Sequence, residues 1–211
     1  NYLFGQVDKS KYESIGEITG DVILVGASKF DSLYPFRRIS EKRKSSNLIG
    51  LALNLIDGKS EIMSLVNEII TKTNYSLIIR LHPGDTRSFS FNSERVSLHK
   101  ACDKGLVDFL SPIDFLIAGE SSIHIESIYV NVPSYYVNLT SESVKDYYDL
   151  LKEGLVLKFD KKKISDVYMK KLMKEDDRAK NILKKFIYSI GKKFDGNVAD
   201  RLKSKIITTN S

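Results

Sequence analysis

Two apolar runs in the middle of the chain, Leu77–Leu81 and Phe115–Ala118, each stop abruptly in small or polar residues. The first runs into His82-Pro83-Gly84-Asp85. The second runs into Gly119-Glu120-Ser121-Ser122 and then Ile123-His124-Ile125-Glu126. A buried strand that ends this way delivers its last residues to the carboxyl edge of an open α/β sheet, the edge where such folds bind ligands. The residue types suit a phosphate: an imidazole beside an Arg, and small hydroxyl residues in a turn that feeds a helix N-terminus.

The rest of the chain keeps the same rhythm. Further strands are predicted at Val22–Val25, Leu48–Asn54, Arg95–Leu98, Pro133–Val137 and Leu155–Phe159. A helix is predicted over Lys59–Lys72, where Ile62, Leu65, Val66, Ile69 and Ile70 recur on one face. Others are predicted over Lys11–Ile18, 101–110, Ser122–Tyr129 and Ser143–Leu151, and the C-terminal part is helical. The basic, Ser-containing stretch 27–46 reads as a loop or hinge. Apolar strands alternating with amphipathic helices predict an α/β fold: a doubly wound, Rossmann-like parallel sheet of about five or six strands, with C-terminal helices. Residues 1–20 are expected to be an N-terminal segment or the remnant of a preceding domain, and 21–211 one Rossmann-like domain.

With 211 residues, 42% of them hydrophobic, the chain can bury one large α/β core. Its net charge of +6 sets 33 basic residues against 27 acidic ones, an excess compatible with a polyanionic ligand or an anionic surface. A nucleic-acid platform is not expected, because aromatics such as Tyr135, Tyr136, Tyr147 and Tyr148 do not alternate with basic residues. One cysteine, Cys102, allows no internal disulfide and favours a reducing, cytosolic setting. One Cys and three His (His82, His99, His124) offer no zinc spacing, and neither a metal nor a cofactor is expected. The chain begins at Asn1 rather than Met, so it is expected to be a fragment of something longer.

His82 leaves an apolar strand just before Pro83, which ends strand pairing and stiffens the turn. An imidazole held there can donate to a phosphate; it can equally fill a turn. Ser121 and Ser122 sit between a strand and a helix, where unpaired amides and the helix dipole favour an anion; one of them can instead simply cap the helix. Glu126 follows Ser122 by one helical turn and suits the two hydroxyls of a ribose, or is a solvated charge. His124 faces elsewhere and reads as structural. Gly26, with Ala27 and Ser28, ends an earlier strand and can approach a phosphate. Arg80 lies inside an apolar strand and must be paired, with Asp31 or Asp85, or reach the site.

At these residues the chain resembles the nucleotide-binding C-terminal half of a GT-B-type glycosyltransferase. Leu81-His82-Pro83 resembles the His-Pro motif of bacterial sialyl- and Kdo-transferases and of the polyol-phosphate transferases that build teichoic acids. Ala118 to Glu126, followed by Val132-Pro133, resembles their Ser-Ser motif. Phe194 to Leu202 resembles the closing helix of GT-B proteins and of the related UDP-N-acetylglucosamine 2-epimerases. Val25 to Asp31 resembles the opening segment of that domain, with Ala27-Ser28 in place of Asn-Pro. The resemblance implies that His82, Pro83, Ser121 and Ser122 bind the phosphate of a nucleotide-activated sugar or polyol, with Glu126 near the ribose. It implies a catalytic base in an N-terminal acceptor domain that this chain lacks. Ser121-Ser122 and Ile125-Glu126 stand where UDP-sugar enzymes carry Gly-Gly and paired Glu, which shifts the expected donor toward a CMP or CDP linkage.

The function expected is therefore the donor-binding half of a glycosyltransferase of capsule or surface polysaccharide biosynthesis, inactive in isolation. The alternatives are a non-catalytic scaffold or regulatory module, and a UDP-sugar 2-epimerase-like half. The expected location is cytoplasmic; one reading adds contact at the inner membrane face through Lys161–Lys163, Lys170, Lys171, Lys184, Lys185, Lys192 and Lys193. Acidic residues such as Asp166, Glu175, Asp176 and Asp177 are interleaved with these lysines, which favours an ordinary solvated face instead.

Overall fold

The computed structural model describes residues 2–40, 45–101, 103, 105–140, 146–173, 177–187 and 195–209. Cys102, Ser143, Glu175, Asp176, Lys192, Lys193 and Phe194, named above, lie outside them.

A six-stranded sheet forms the centre: β3 (Leu48–Ala52), β4 (Ser76–Leu81), β5 (Val96–Lys100), β6 (Phe115–Ala118), β7 (Ser134–Tyr136) and β8 (Leu157–Lys158). Its spatial order is β5-β4-β3-β6-β7-β8, and every neighbouring pair is parallel. The first three strands run outward to one edge and the next three to the other. The order reverses between β3 and β6, as in dinucleotide-binding sheets. A separate pair, β1 (Tyr2–Leu3) and β2 (Ile23–Leu24), is also parallel.

Both faces of the sheet are buried, so its central strands are apolar on both sides. Ile49 and Leu51 of β3 and Phe115 and Ile117 of β6 pack with Ile62, Leu65 and Ile69 of helix α3 (Lys59–Lys72) and Met169 of α6 (Asp166–Leu172). Leu116 and Ala118 point the other way, toward α5 (Ile123–Tyr129) and α7 (Asp177–Phe186), where Ile123, Ile128, Leu183 and Phe186 are buried. Asp114, at the amino end of β6, accepts from the Ser46 and Leu48 amides and fixes the register of β3 from that end. Helix α8 (Val198–Thr209) closes the fold against a 3-10 turn at Ser28–Leu33.

Several elements differ from expectation. The first strand pairs with Tyr2–Leu3 rather than joining the main sheet. The stretch expected to be a loop holds the 3-10 turn and helix α2 (Tyr34–Ser40), anchored by buried Phe30 and Leu33. The N-terminal helix α1 lies at Gln6–Ile15, earlier than expected, and α4 is shorter, at Leu106–Leu110. Residues 146–151 form turns, not a helix, because the Asp146 carboxylate takes the amides of Leu150, Leu151 and Lys152, while Asp149 adopts a left-handed φ of 54°. Among the described residues, no helix is long and apolar enough to cross a membrane.

Candidate functional site

His82 follows directly on β4, and the Gly119–Ser122 turn follows directly on β6. β3 lies between those strands, so the two tips flank the position where the strand order reverses. At about 4.8 Å per strand, their axes are about 10 Å apart, a gap that side chains can close from both sides.

The His82 ring is exposed, and its orientation is set locally. The Gly84 amide donates to His82 Nδ1 at 3.1 Å. A neutral imidazole whose Nδ1 accepts must carry its proton on Nε2. In that form His82 offers an Nε2–H donor, its Nδ1 lone pair being taken by the Gly84 amide. Asp85, nearly fully buried, anchors the same turn. Arg87 grips it through Nε (2.9 Å) and Nη2 (2.6 Å), which holds the Asp85 carboxyl below the usual carboxylate range. The Arg87 guanidinium also reaches the carbonyls of Asn54 (2.9 Å) and Asp57, tying the β4 turn to the loop after β3.

That loop is bound on its other side to β6 and β7. Asn54 Nδ2 donates to the Glu120 carbonyl at 2.6 Å, and the Gly58 amide donates to the Leu139 carbonyl at 2.6 Å. Asp57 is buried, accepts from the Asn54 amide at 2.6 Å, and burial pushes its carboxyl pKa up. Glu120 is buried too. Its Oε1 accepts from the Tyr148 amide at 3.1 Å, its Oε2 lies without a hydrogen-bond partner among the described residues, and burial again raises its pKa.

Ser122 occupies the N-cap of α5, yet its hydroxyl makes no cap bond. Ser121 Oγ accepts from the Ile123 amide only at 3.4 Å. The plain capping role is thus weakly used, and both hydroxyls stand at the β6 tip, partly exposed. Directly below them, His124 is fully buried between Ser134 Oγ (2.6 Å from Nδ1) and the Gly119 carbonyl (2.9 Å from Nε2). Burial pushes its pKa down to about 4, so it is neutral and braces the turn.

Glu126 is held by Lys29, at 2.7 Å, from the 3-10 turn after Gly26. Gly26 has φ 79°, the left-handed region where glycine carries no Cβ penalty, and this conformation turns the chain from β2 into that segment. Arg80 lies with its guanidinium 5.6 Å from the Phe109 ring and Nη2 3.5 Å from the Ala101 carbonyl. Burial lowers its pKa, and the charge of Glu126 opposes that shift. The two carboxylates expected to pair it are engaged elsewhere: Asp85 by Arg87, and Asp31 by the Val198 and Ala199 amides. The fold thus brings Lys29, three residues after Gly26, onto Glu126, keeps Arg80 in the field of Glu126, and sets His82, Pro83, Ser121 and Ser122 at the strand tips.

Sequence reasoning passed over the third tip. Asn54, Asp57, Arg87 and Glu120 knit the three tips together, and the signal was present: polar Asn54 ends an apolar strand just as His82 and Gly119 do. Among the described residues, no cluster of three or more His, Cys, Asp or Glu side chains is arranged to hold a metal.

No family model matches the chain, and no curated protein matches it. Solved structures do. The wall teichoic acid polymerase TagF, in a variant soaked with CDPG, aligns over 99% of this chain and 56% of its own length, with 12% identity and a TM-score of 0.59. MnaA of S. aureus, solved with UDP, aligns over 97% of this chain and 58% of its own, with 16% identity and a TM-score of 0.56. The calicheamicin glycosyltransferase CalG4 aligns over the whole of this chain and 54% of its own, with 11% identity and a TM-score of 0.55. The fold is that of a Rossmann-like GT-B half domain, and the chain spans little more than half the length of these structures.

Proposed function

We propose that this chain is the donor-binding half of a glycosyltransferase and takes a nucleotide-activated sugar or polyol at the tips of β4 and β6, with a CMP- or CDP-linked donor preferred. One observation carries the reading. The Gly84 amide fixes His82 with its proton on Nε2, and that donor flanks β3 opposite the uncapped Ser122 hydroxyl and its neighbour Ser121. Donors at the two strand tips on either side of β3 would suit the phosphate that leaves with the nucleotide, since hydrogen bonds aimed at developing charge stabilise it without a metal. Glu126, oriented by Lys29, would serve the ribose. The likeness to structures solved with UDP and CDPG supports a nucleotide ligand.

His82, with Nδ1 occupied and Nε2 protonated, is a donor rather than a base in this geometry. The base that activates the acceptor would come from the acceptor domain. Domain division at residue 20, a capsule or surface polysaccharide pathway and a cytoplasmic location belong to the same proposal. The test is a thermal-shift panel with CMP, CDP and UDP. A ligand at a hundred times its Kd adds about 2.7 kcal/mol to the folded state and raises the Tm visibly. A flat response to all three would remove the reading.

A further inference from the structure

The loop after β3 presents two large apolar side chains to solvent on an unusually fixed backbone. Leu55 is 51% exposed and Ile56 53%. Around them, the Asn54 amide donates to Asp57 Oδ2 at 2.6 Å, the Leu55 amide to Asn54 Oδ1 at 2.6 Å, and the Asp57 amide to the Asn54 carbonyl at 3.2 Å. The contacts from Arg87, to Glu120 and to Leu139 described above hold the same loop to three neighbouring strand tips. A backbone so held cannot fold these side chains inward, so their exposure is a built feature of the tip.

Leu55 also adjoins His82. A Cβ placed on Gly84 would lie 3.8 Å from Leu55 Cδ1 and 3.5 Å from His82 Nδ1, so the leucine methyl and the imidazole line one wall. The nearby cations are engaged: the Lys59 ammonium lies 5.8 Å from the centre of Phe89, and the Arg87 guanidinium is taken by Asp85 and by the Asn54 and Asp57 carbonyls. Whatever extends past a phosphate at His82 toward this loop therefore meets methyl groups. A hydroxyl or carboxylate turned toward them would lose water without gaining a partner.

We infer, on the reading that a nucleotide-activated donor occupies this crevice, that Leu55 and Ile56 select its transferred group. They favour a sugar with an apolar face or appendage, a deoxy or N-acyl sugar, over its fully hydroxylated counterpart or a polyol. The experiment is isothermal titration of the whole chain with free nucleotides (CMP, CDP and UDP), then with matched sugar pairs on the nucleotide that binds: the hydroxylated sugar and its 6-deoxy or N-acetyl counterpart. The wild-type chain should bind the deoxy or acylated member at least about fourfold more tightly, which is what one newly buried methyl group gives. In the Leu55→Ser/Ile56→Ser variant, whose altered side chains are exposed, the two members should bind alike while free-nucleotide affinity stays unchanged. Equal binding of the pair by the wild type, tighter binding of the hydroxylated member, or a preference that survives in the variant would overturn the inference and leave the donor reading standing. No binding of any nucleotide would overturn both.

Discussion

A Cβ placed on Gly119 would stand 3.0 Å from Asp57 Oδ1, so the tip of β6 and the loop after β3 meet with no room for a side chain. The Asp57 carboxylate cannot withdraw, because the Asn54 amide holds its other oxygen at 2.6 Å. Gly119→Ala should therefore destabilise the fold by about 1–3 kcal/mol, the usual range for overpacking. Urea unfolding with an unchanged m-value would check it; a neutral substitution would show that the two tips are looser than this contact implies.

Asp31 caps helix α8 from 167 positions away, accepting from the Val198 amide at 3.1 Å and the Ala199 amide at 2.8 Å. Asp31→Ala should cost about 1 kcal/mol, the typical loss for an N-cap. Amide exchange should quicken first at Val198 and Ala199. Val198→Asp, at a buried position, should go further and detach the helix by placing a charge in the apolar interface.

Arg87→Met should be among the most damaging single changes near the site. It leaves Asp85 buried without its cation, a loss of about 3–5 kcal/mol for a broken buried pair. The sign with pH follows from Asp85, whose folded pKa is depressed. Its stabilising contribution is full above the ordinary carboxyl range and is lost as pH falls through the lowered value. The gap in Tm between wild type and Arg87→Met should thus narrow on acidification.

His124 adds its own pH dependence. Its folded pKa of about 4 lies below the ordinary 6.5, so between those values the unfolded chain takes up a proton that the folded chain refuses. Stability should be full above about 6.5 and fall by about 3 kcal/mol toward pH 4, at about 1.4 kcal/mol per unit. Glu120 and Asp57 act with the opposite sign: their raised pKa values favour the fold at low pH, a contribution lost as pH rises through those values. His124→Gln can still donate to the Gly119 carbonyl but has no comparable titration. Its stability deficit at neutral pH should therefore shrink between pH 6.5 and 4, as read by chemical denaturation.

Much of this architecture was legible in the sequence. Leu77–Leu81 and Phe115–Ala118 are strands almost to the residue, because a sheet covered on both faces needs continuous apolar runs bounded by Pro or Gly. The same rule located His82 and the Gly119–Ser122 turn at strand tips. Elements whose partners lie far away in sequence were not legible. Val22–Val25 reads as a sheet strand, but it pairs with Tyr2–Leu3, whose apolar run of three residues is too short to announce a strand. The helix expected at Ser143–Leu151 gives way, over its described part, to turns at Asp146, whose carboxylate competes for the backbone amides. An Arg inside an apolar strand reads as paired with an internal carboxylate or as reaching the site, yet Arg80 meets the Phe109 ring and the Ala101 carbonyl and lies in the field of Glu126, a mixture that no local pattern encodes.

The central claim is that His82 and the Ser121–Ser122 pair act on one anion, and a double-mutant cycle on CDP affinity tests it most directly. His82→Ala, Ser121→Ala/Ser122→Ala and the combined variant would be titrated by calorimetry alongside the wild type. The account predicts that each change weakens CDP while the Tm without ligand holds, and that the losses fail to add by at least about 0.5 kcal/mol, as expected of groups sharing one partner. Additive losses, or full affinity in either variant, would contradict it.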